Sequence, residues 1–178
     1  MFRILPLIVS CALLLITSAA HAKDKPLEVS KDNFVSLKWM RSGGFAGISE
    51  SYTIQNHEIN QKVEQPYSGG RTGSSASFPP PSLPRVVPFS ENQWKELLAQ
   101  LKKAGVPAMT GTYKQERLAD GFNETLELTL SDSHNRDKTS TVSNYGNRAP
   151  ASYYRFTAYL TSLLTRKLGS PFQPTSAK

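Results

Sequence analysis

The chain has 178 residues, 21 Lys+Arg against 14 Asp+Glu, a formal net charge of +7 and a single cysteine. One cysteine excludes an intrachain disulfide framework and a cysteine-ligated zinc site. The basic residues are scattered from Lys23 to Lys178 without a dense run, which excludes the clustered stripe with interleaved aromatics that a nucleic-acid surface requires.

The first segment reads as an export signal. Met1-Phe2-Arg3 is a short cationic start, Ile4 to Ile16 is apolar, and Ala20-His21-Ala22 is an A-x-A processing site, so cleavage is expected after Ala22. A lipoprotein reading at Cys11 fits less well, because that cysteine sits inside the apolar stretch. The apolar run is too short to span a bilayer, for which about 20 residues are needed, so no integral membrane segment is expected after cleavage. Removing 22 of the 178 residues leaves 156, without cysteine and with 20 Lys+Arg, a net charge of +6. That length is one domain by the usual prior, and a periplasmic or secreted location is expected.

Residues 23–33 are charged and polar, and are expected to be a flexible lead-in. Phe34 to Arg41 places Val35, Leu37 and Trp39 at period two, as a half-buried strand requires. The glycine-rich run Ser42-Gly43-Gly44-Phe45-Ala46-Gly47 follows, and Ile48 to Gln55 carries Ile48, Tyr52 and Ile54 in near alternation. Asn56-His57 predicts a two-residue turn, since Asn tolerates positive φ, and Glu58 to Glu64 returns with Ile59 and Val63 inward. From Gln65 to Pro88 glycines, serines and prolines crowd out regular structure, and the stretch is expected to be an insertion looped out of the domain.

After it, Ser90 and Gln93 form a capping box, Phe89 staples onto Trp94, and Trp94, Leu97, Leu98 and Leu101 keep helical spacing up to the stop at Gly105 and Pro107. An Asp120-Gly121 turn signal precedes Glu124 to Leu130, where Leu126, Leu128 and Leu130 alternate with Thr125, Glu127 and Thr129. Asp137 to Ser143 is expected to pair back across a polar turn. Pro150 opens a second helix on Tyr153, Phe156, Leu160, Leu163 and Leu164, ended by Gly169 and Pro171. The expected fold is α+β: an antiparallel sheet of four to five strands with two amphipathic helices on one face, spanning 34–168 as a single domain, with a flexible tail at 169–178.

No catalytic apparatus is legible. His57 and His134 both fall in predicted turns, without the spacing that places two metal ligands on one face, and no G-x-S-x-G elbow or phosphate-binding glycine loop is present. Glu124 and Glu127 stand an odd number of residues apart on a strand and so point to opposite faces. No cofactor and no enzymatic activity are expected, and the chain reads as a monomeric binding protein. Glycine admits close backbone approach, which makes residues 42–48 either a tight turn or a contact surface. Asn144 to Pro150 poses the same choice, between a helix-entry turn and a second recognition loop anchored by Tyr145.

The stretch Lys38-Trp39-Met40-Arg41-Ser42-Gly43-Gly44-Phe45-Ala46-Gly47-Ile48, followed by a strand, a capped helix, a leucine-alternating strand and Asn144 to Pro150, resembles the emfourin-like proteins. That family includes proteinaceous inhibitors of thermolysin-like (M4) metalloproteases such as protealysin. The resemblance covers roughly Phe34 to Leu168 and implies a protease partner contacted by Ser42, Gly43, Gly44, Phe45, Ala46, Gly47 and Ile48, with Tyr145 beside them. Thermolysin-like enzymes prefer bulky apolar side chains after the scissile bond, a role the resemblance assigns to Phe45 or Ile48. The sequence departs from the family in its signal segment, its proline-rich insertion and its longer carboxyl end. The alternative expectation is a structural or ligand-binding module that contacts anionic envelope polymers or another protein.

Overall fold

The computed structural model describes residues 26–43, 48–64, 84–115, 122–146 and 148–169. Strands β1 (Phe34–Gly43), β2 (Ile48–Gln55), β3 (Glu58–Glu64) and β4 (Arg85–Pro88) precede helix α1 (Glu91–Ala104) and a 3-10 turn at Val106–Ala108. Strands β5 (Gly111–Lys114), β6 (Phe122–Ser131) and β7 (Asp137–Tyr145) then lead into helix α2 (Ala151–Leu168). All seven strands form one sheet in the order β4-β3-β2-β1-β6-β7-β5. The α+β class holds, but the sheet has seven strands where four to five were expected, and it is mixed: β5 runs parallel to β7.

Both extra strands are four-residue edges that period-two patterning is too short to reveal. β4 is the last piece of the proline-rich stretch, and its one proline, Pro88, is tolerable because an edge strand has one side without a ladder. The crossover between the two edges explains the parallel pairing. β4 ends one side of the sheet, α1 carries the chain across, and β5 enters beside β7 on the far side, which a two-residue hairpin cannot do.

The helices pack on one face. Leu37, Trp39, Tyr52, Ile54, Ile59, Leu126, Leu128, Leu130 and Val142 point from the sheet into a cluster with Trp94, Leu97 and Leu101 of α1 and Tyr153, Phe156, Leu160, Leu163 and Leu164 of α2. The α1 capping box forms as its spacing predicts, with Gln93 N–H donating to Ser90 Oγ at 3.3 Å and Ser90 N–H to Gln93 Oε1 at 3.0 Å. Gly105 closes the helix at φ +68°, a left-handed conformation suited to glycine. Asn56 and His57 stand at φ 50° and 59° in the β2–β3 turn, as a two-residue hairpin requires, and the His57 ring stacks on Trp94 at 4.4 Å. The lead-in is tied down from Pro26 onward: Val29 is buried, Leu27 packs on the core, and Asn33 Oδ1 accepts from Ser30 N–H.

One inward assignment fails. A β-bulge interrupts the β1–β6 register between Phe34 and Ser36, so Phe34 turns inward, edge-on to Trp94 at 4.8 Å, and Val35 turns out to 37% exposure. The Asp120-Gly121 signal, most of the insertion (65–83), residues 1–25 and 170–178 lie outside the described residues.

The bulge makes a contrast testable by chemical denaturation. Leu37→Ala removes a fully buried side chain and should cost about 2–5 kcal/mol. Val35→Ser should stay within about 0.5 kcal/mol of the parent, as surface substitutions do; a Val35→Ser cost similar to that of Leu37→Ala would mean that no bulge reverses the facing.

Candidate functional site

β1 and β2 form a hairpin whose ladder runs to its end, Ser42 opposite Ser49 and Gly43 opposite Ile48. Gly43 has φ +118°, a value L side chains rarely adopt, so glycine is required where the chain leaves the sheet. Gly44, Phe45, Ala46 and Gly47 lie outside the described residues, and of Ile48 the backbone alone is described. The other residue named from the sequence, Tyr145, ends β7 at the same rim: Ser42 is opposite Asn123 of β6, and Asn123 is opposite Tyr145. Ser49, Ser42, Asn123 and Tyr145 thus form one cross-strand row on the helix-free face, with Ser42 and Tyr145 two strand spacings, about 10 Å, apart.

Beneath this row, on the helix-facing side, lies a polar row that sequence reading missed. Glu50 of β2, Arg41 of β1, Glu124 of β6 and Asn144 of β7 are direct cross-strand neighbours. Glu50 is 5% exposed and Asn144 2%. Arg41 stands between the two carboxylates: its Nε donates to Glu124 Oε1 at 3.0 Å, and its guanidinium lies 5.2 Å from the centre of the Trp39 ring. Each carboxylate also receives a phenol, Tyr52 Oη donating to Glu50 Oε2 at 3.0 Å and Tyr153 Oη, from α2, to Glu124 Oε2 at 3.3 Å. Asn144 Oδ1 accepts from the backbone N–H groups of Arg148 and Ala149 and from Tyr154 Oη, which fixes the β7–α2 connection just past Tyr145.

Both phenols are pushed well above the ordinary tyrosine range, first by burial and then by the negative charge of the carboxylate each one faces. At neutral pH both stay protonated and donate to the carboxylates. The row therefore sets one cation between two carboxylates that also receive phenol hydrogen bonds, as low-dielectric surroundings demand, and is built to hold geometry rather than to move protons. Trp39 Nε1, stacked on Tyr52 at 5.8 Å, is buried without a hydrogen-bond partner among the described residues.

Glu124 and Glu127 do point to opposite faces, but Glu124 is not the solvated side chain that its type suggests, its side chain being 16% exposed. The missed signal was period two in β2: if Ile48, Tyr52 and Ile54 face inward, so must Glu50. His57 and His134 sit at the β2–β3 and β6–β7 turns, at the opposite end of the strands from the Gly43 rim. Among the described residues no three His, Cys, Asp or Glu side chains are placed to hold a metal, and no helix is long and apolar enough to cross a membrane. Comparison with protein families, with curated proteins and with solved structures finds no match for this chain.

The phenols give the row a pH signature. Unfolded tyrosine loses its proton near 10 while these two keep theirs to higher pH, so their contribution to stability is whole below about pH 10 and is lost as pH rises beyond it. The expected loss approaches about 1.4 kcal/mol per pH unit for each phenol. Tyr52→Phe should make the decline between pH 10 and 11.5 shallower in urea denaturation; an unchanged slope would show that Tyr52 does not keep its proton in the folded state.

Proposed function

We propose that the protein is an exported, monomeric, non-enzymatic binding protein of the emfourin-like kind, an inhibitor of thermolysin-like metalloproteases that acts through residues 42–48 with Tyr145 beside them. The observation that carries this reading is the rim itself. A glycine-exited hairpin and the aromatic end of β7 meet on one edge of the sheet, and both are anchored from below by the same row, Glu50-Arg41-Glu124-Asn144. An inhibitor needs no chemistry of its own. It gains affinity by presenting a segment already held in its bound geometry, which spares about 0.5–1.5 kcal/mol for each side chain not immobilised on binding.

In this reading Gly43, Gly44 and Gly47 let the main chain approach the cleft, Phe45 or Ile48 enters the apolar pocket, and Tyr145 widens the contact as an aromatic anchor. The anchoring row also separates affinity from stability. Arg41 and Glu124 hold the hairpin on the sheet from the helix-facing side.

The test is inhibition of a panel of zinc metalloproteases, thermolysin-like enzymes included, by the purified protein and by Phe45→Ala and Tyr145→Ala. Sub-micromolar inhibition is expected for the parent. Phe45→Ala should weaken it by roughly 30-fold or more, the scale of an interface hot spot, with an unchanged melting temperature. An inert parent protein would remove the reading for those enzymes. A Phe45→Ala variant that melts earlier yet inhibits equally well would place Phe45 in the core.

A further inference from the structure

The two edges of the sheet are finished differently. β4 ends in Pro88 and is held from α2, Arg85 donating to the Leu168 carbonyl and Lys167 to that of Pro88. β5 has no proline, and among the described residues no strand pairs with its outer side. The ladder fixes which of its main-chain groups face outward. In a parallel pair every second residue turns both its N–H and its C=O toward the neighbouring strand. Gln115 N–H donates to the Tyr145 carbonyl at 2.9 Å, and Lys114 is in register with Tyr145, so Gly111, Tyr113 and Gln115 are the residues that bond to β7. Thr112 and Lys114, both exposed, therefore direct their N–H and C=O groups away from the sheet, two donor–acceptor pairs about 6.6 Å apart.

We propose that this edge takes an extended segment of the protein partner as an added strand, with an apolar side chain of that segment against Tyr113. The proposal rests on the inhibitor reading, which supplies a partner at the rim, and gives that partner a second contact. The kind of ligand follows from the groups on offer. Donors and acceptors that alternate in the plane of the sheet at strand spacing match an extended polypeptide main chain. Its side chains would alternate between two surroundings. On the helix-free face they meet Thr112 and Lys114, opposite Ser143 and Tyr145; on the helix side they meet Tyr113, half-buried, opposite the buried Asn144 and packed on the core. Continuity with the rim places the partner. β5 runs parallel to β7 and ends beside Tyr145, three strand spacings, about 14 Å, from β1. A second copy of the chain fits less well, because two four-residue strands offer little of the roughly 1,200–2,000 Å² that a stable interface buries, whereas a partner already seated on the rim has the rest.

The test is amide hydrogen exchange, read residue by residue, on the free protein and on its complex with a thermolysin-like protease that it inhibits. In the free protein the Thr112 and Lys114 amides should exchange near the unprotected rate while those of Tyr113 and Gln115 are protected; in the complex the first two should slow at least about tenfold. Lys114→Pro removes an outward N–H and no bond to β7, so it should weaken inhibition about tenfold at an unchanged melting temperature. Lys114→Gln, which loses the charge but keeps the N–H, should lose far less. The proposal is overturned by Thr112 and Lys114 amides already protected in the free protein, by a complex in which neither gains protection, by undiminished inhibition in Lys114→Pro, or by equal losses in the two variants. A dimer of the free protein that Lys114→Pro dissolves would overturn it in favour of a second copy. Each of these leaves the inhibitor reading standing, whereas a parent protein that inhibits none of the enzymes removes that reading and this contact with it.

Discussion

Arg41 is the residue on which one end of the molecule turns. Its guanidinium is flanked in the sheet by Glu50 and Glu124, each carboxylate is met by a buried phenol, and one of those phenols belongs to α2. A single cation thereby ties together three strands and a helix that are distant in sequence. Buried ion pairs add little net stability over a well-packed apolar core, but removing one partner strands the others and is costly. That asymmetry favours a unique register: a one-residue slip of β1 would set Arg41 on the open face and leave two carboxylates facing the helices without it.

Among the described residues the two faces of the sheet follow different rules because the helices cover only one. Helix-facing positions are mostly apolar; the polar ones include the Arg41 row, where the core meets the rim, and the outlying Gln61, Lys138 and Ser140, the last donating to the Pro107 carbonyl. The opposite face alternates out to serine, threonine, lysine and amide side chains, including a Thr129–Thr139 hydroxyl contact of 2.9 Å across β6 and β7. Such a surface suits a sheet face that carries no helix among the described residues. One edge is restrained as well. β4 ends in Pro88 and is clasped from α2, with Arg85 donating to the Leu168 carbonyl and Lys167 to that of Pro88, which discourages strand addition there.

What the sequence made legible was whatever repeats locally. The leucines of β6, the Ser90–Gln93 box, the Asn56-His57 turn and both amphipathic helices depend on neighbours within a few residues, and each is found where the spacing predicts. What escaped depends on long-range pairing. The bulge at Val35 is set by the register with β6 nearly a hundred residues later, so periodicity alone could not show that Phe34 replaces it in the core. β4 and β5 are strands only because a sheet edge was there to receive them. Glu50 and Glu124 belong to a residue type that is normally solvated, and only the arrival of Arg41 between them makes burial tolerable. Of the candidate site, Tyr145 and Ser42 are brought to one edge and one face, a proximity that needs β6 between them and that no local pattern encodes.

In the proposed reading the contact row and the anchoring row of this rim are separate sets of residues. The ladder delivers Gly43 and Ile48 as direct partners at strand spacing. Tyr145 is held in a similar manner, one residue past Asn144, whose side-chain oxygen is committed to the turn into α2. The paired charges lie in the row below and the residues proposed to make contact in the row above, on opposite faces of the same strands. Alternation along a β-strand, the property that makes buried and exposed side chains neighbours in sequence, is thus also what sets the Glu50-Arg41-Glu124-Asn144 row and the Ser49-Ser42-Asn123-Tyr145 row back to back at the Gly43 rim.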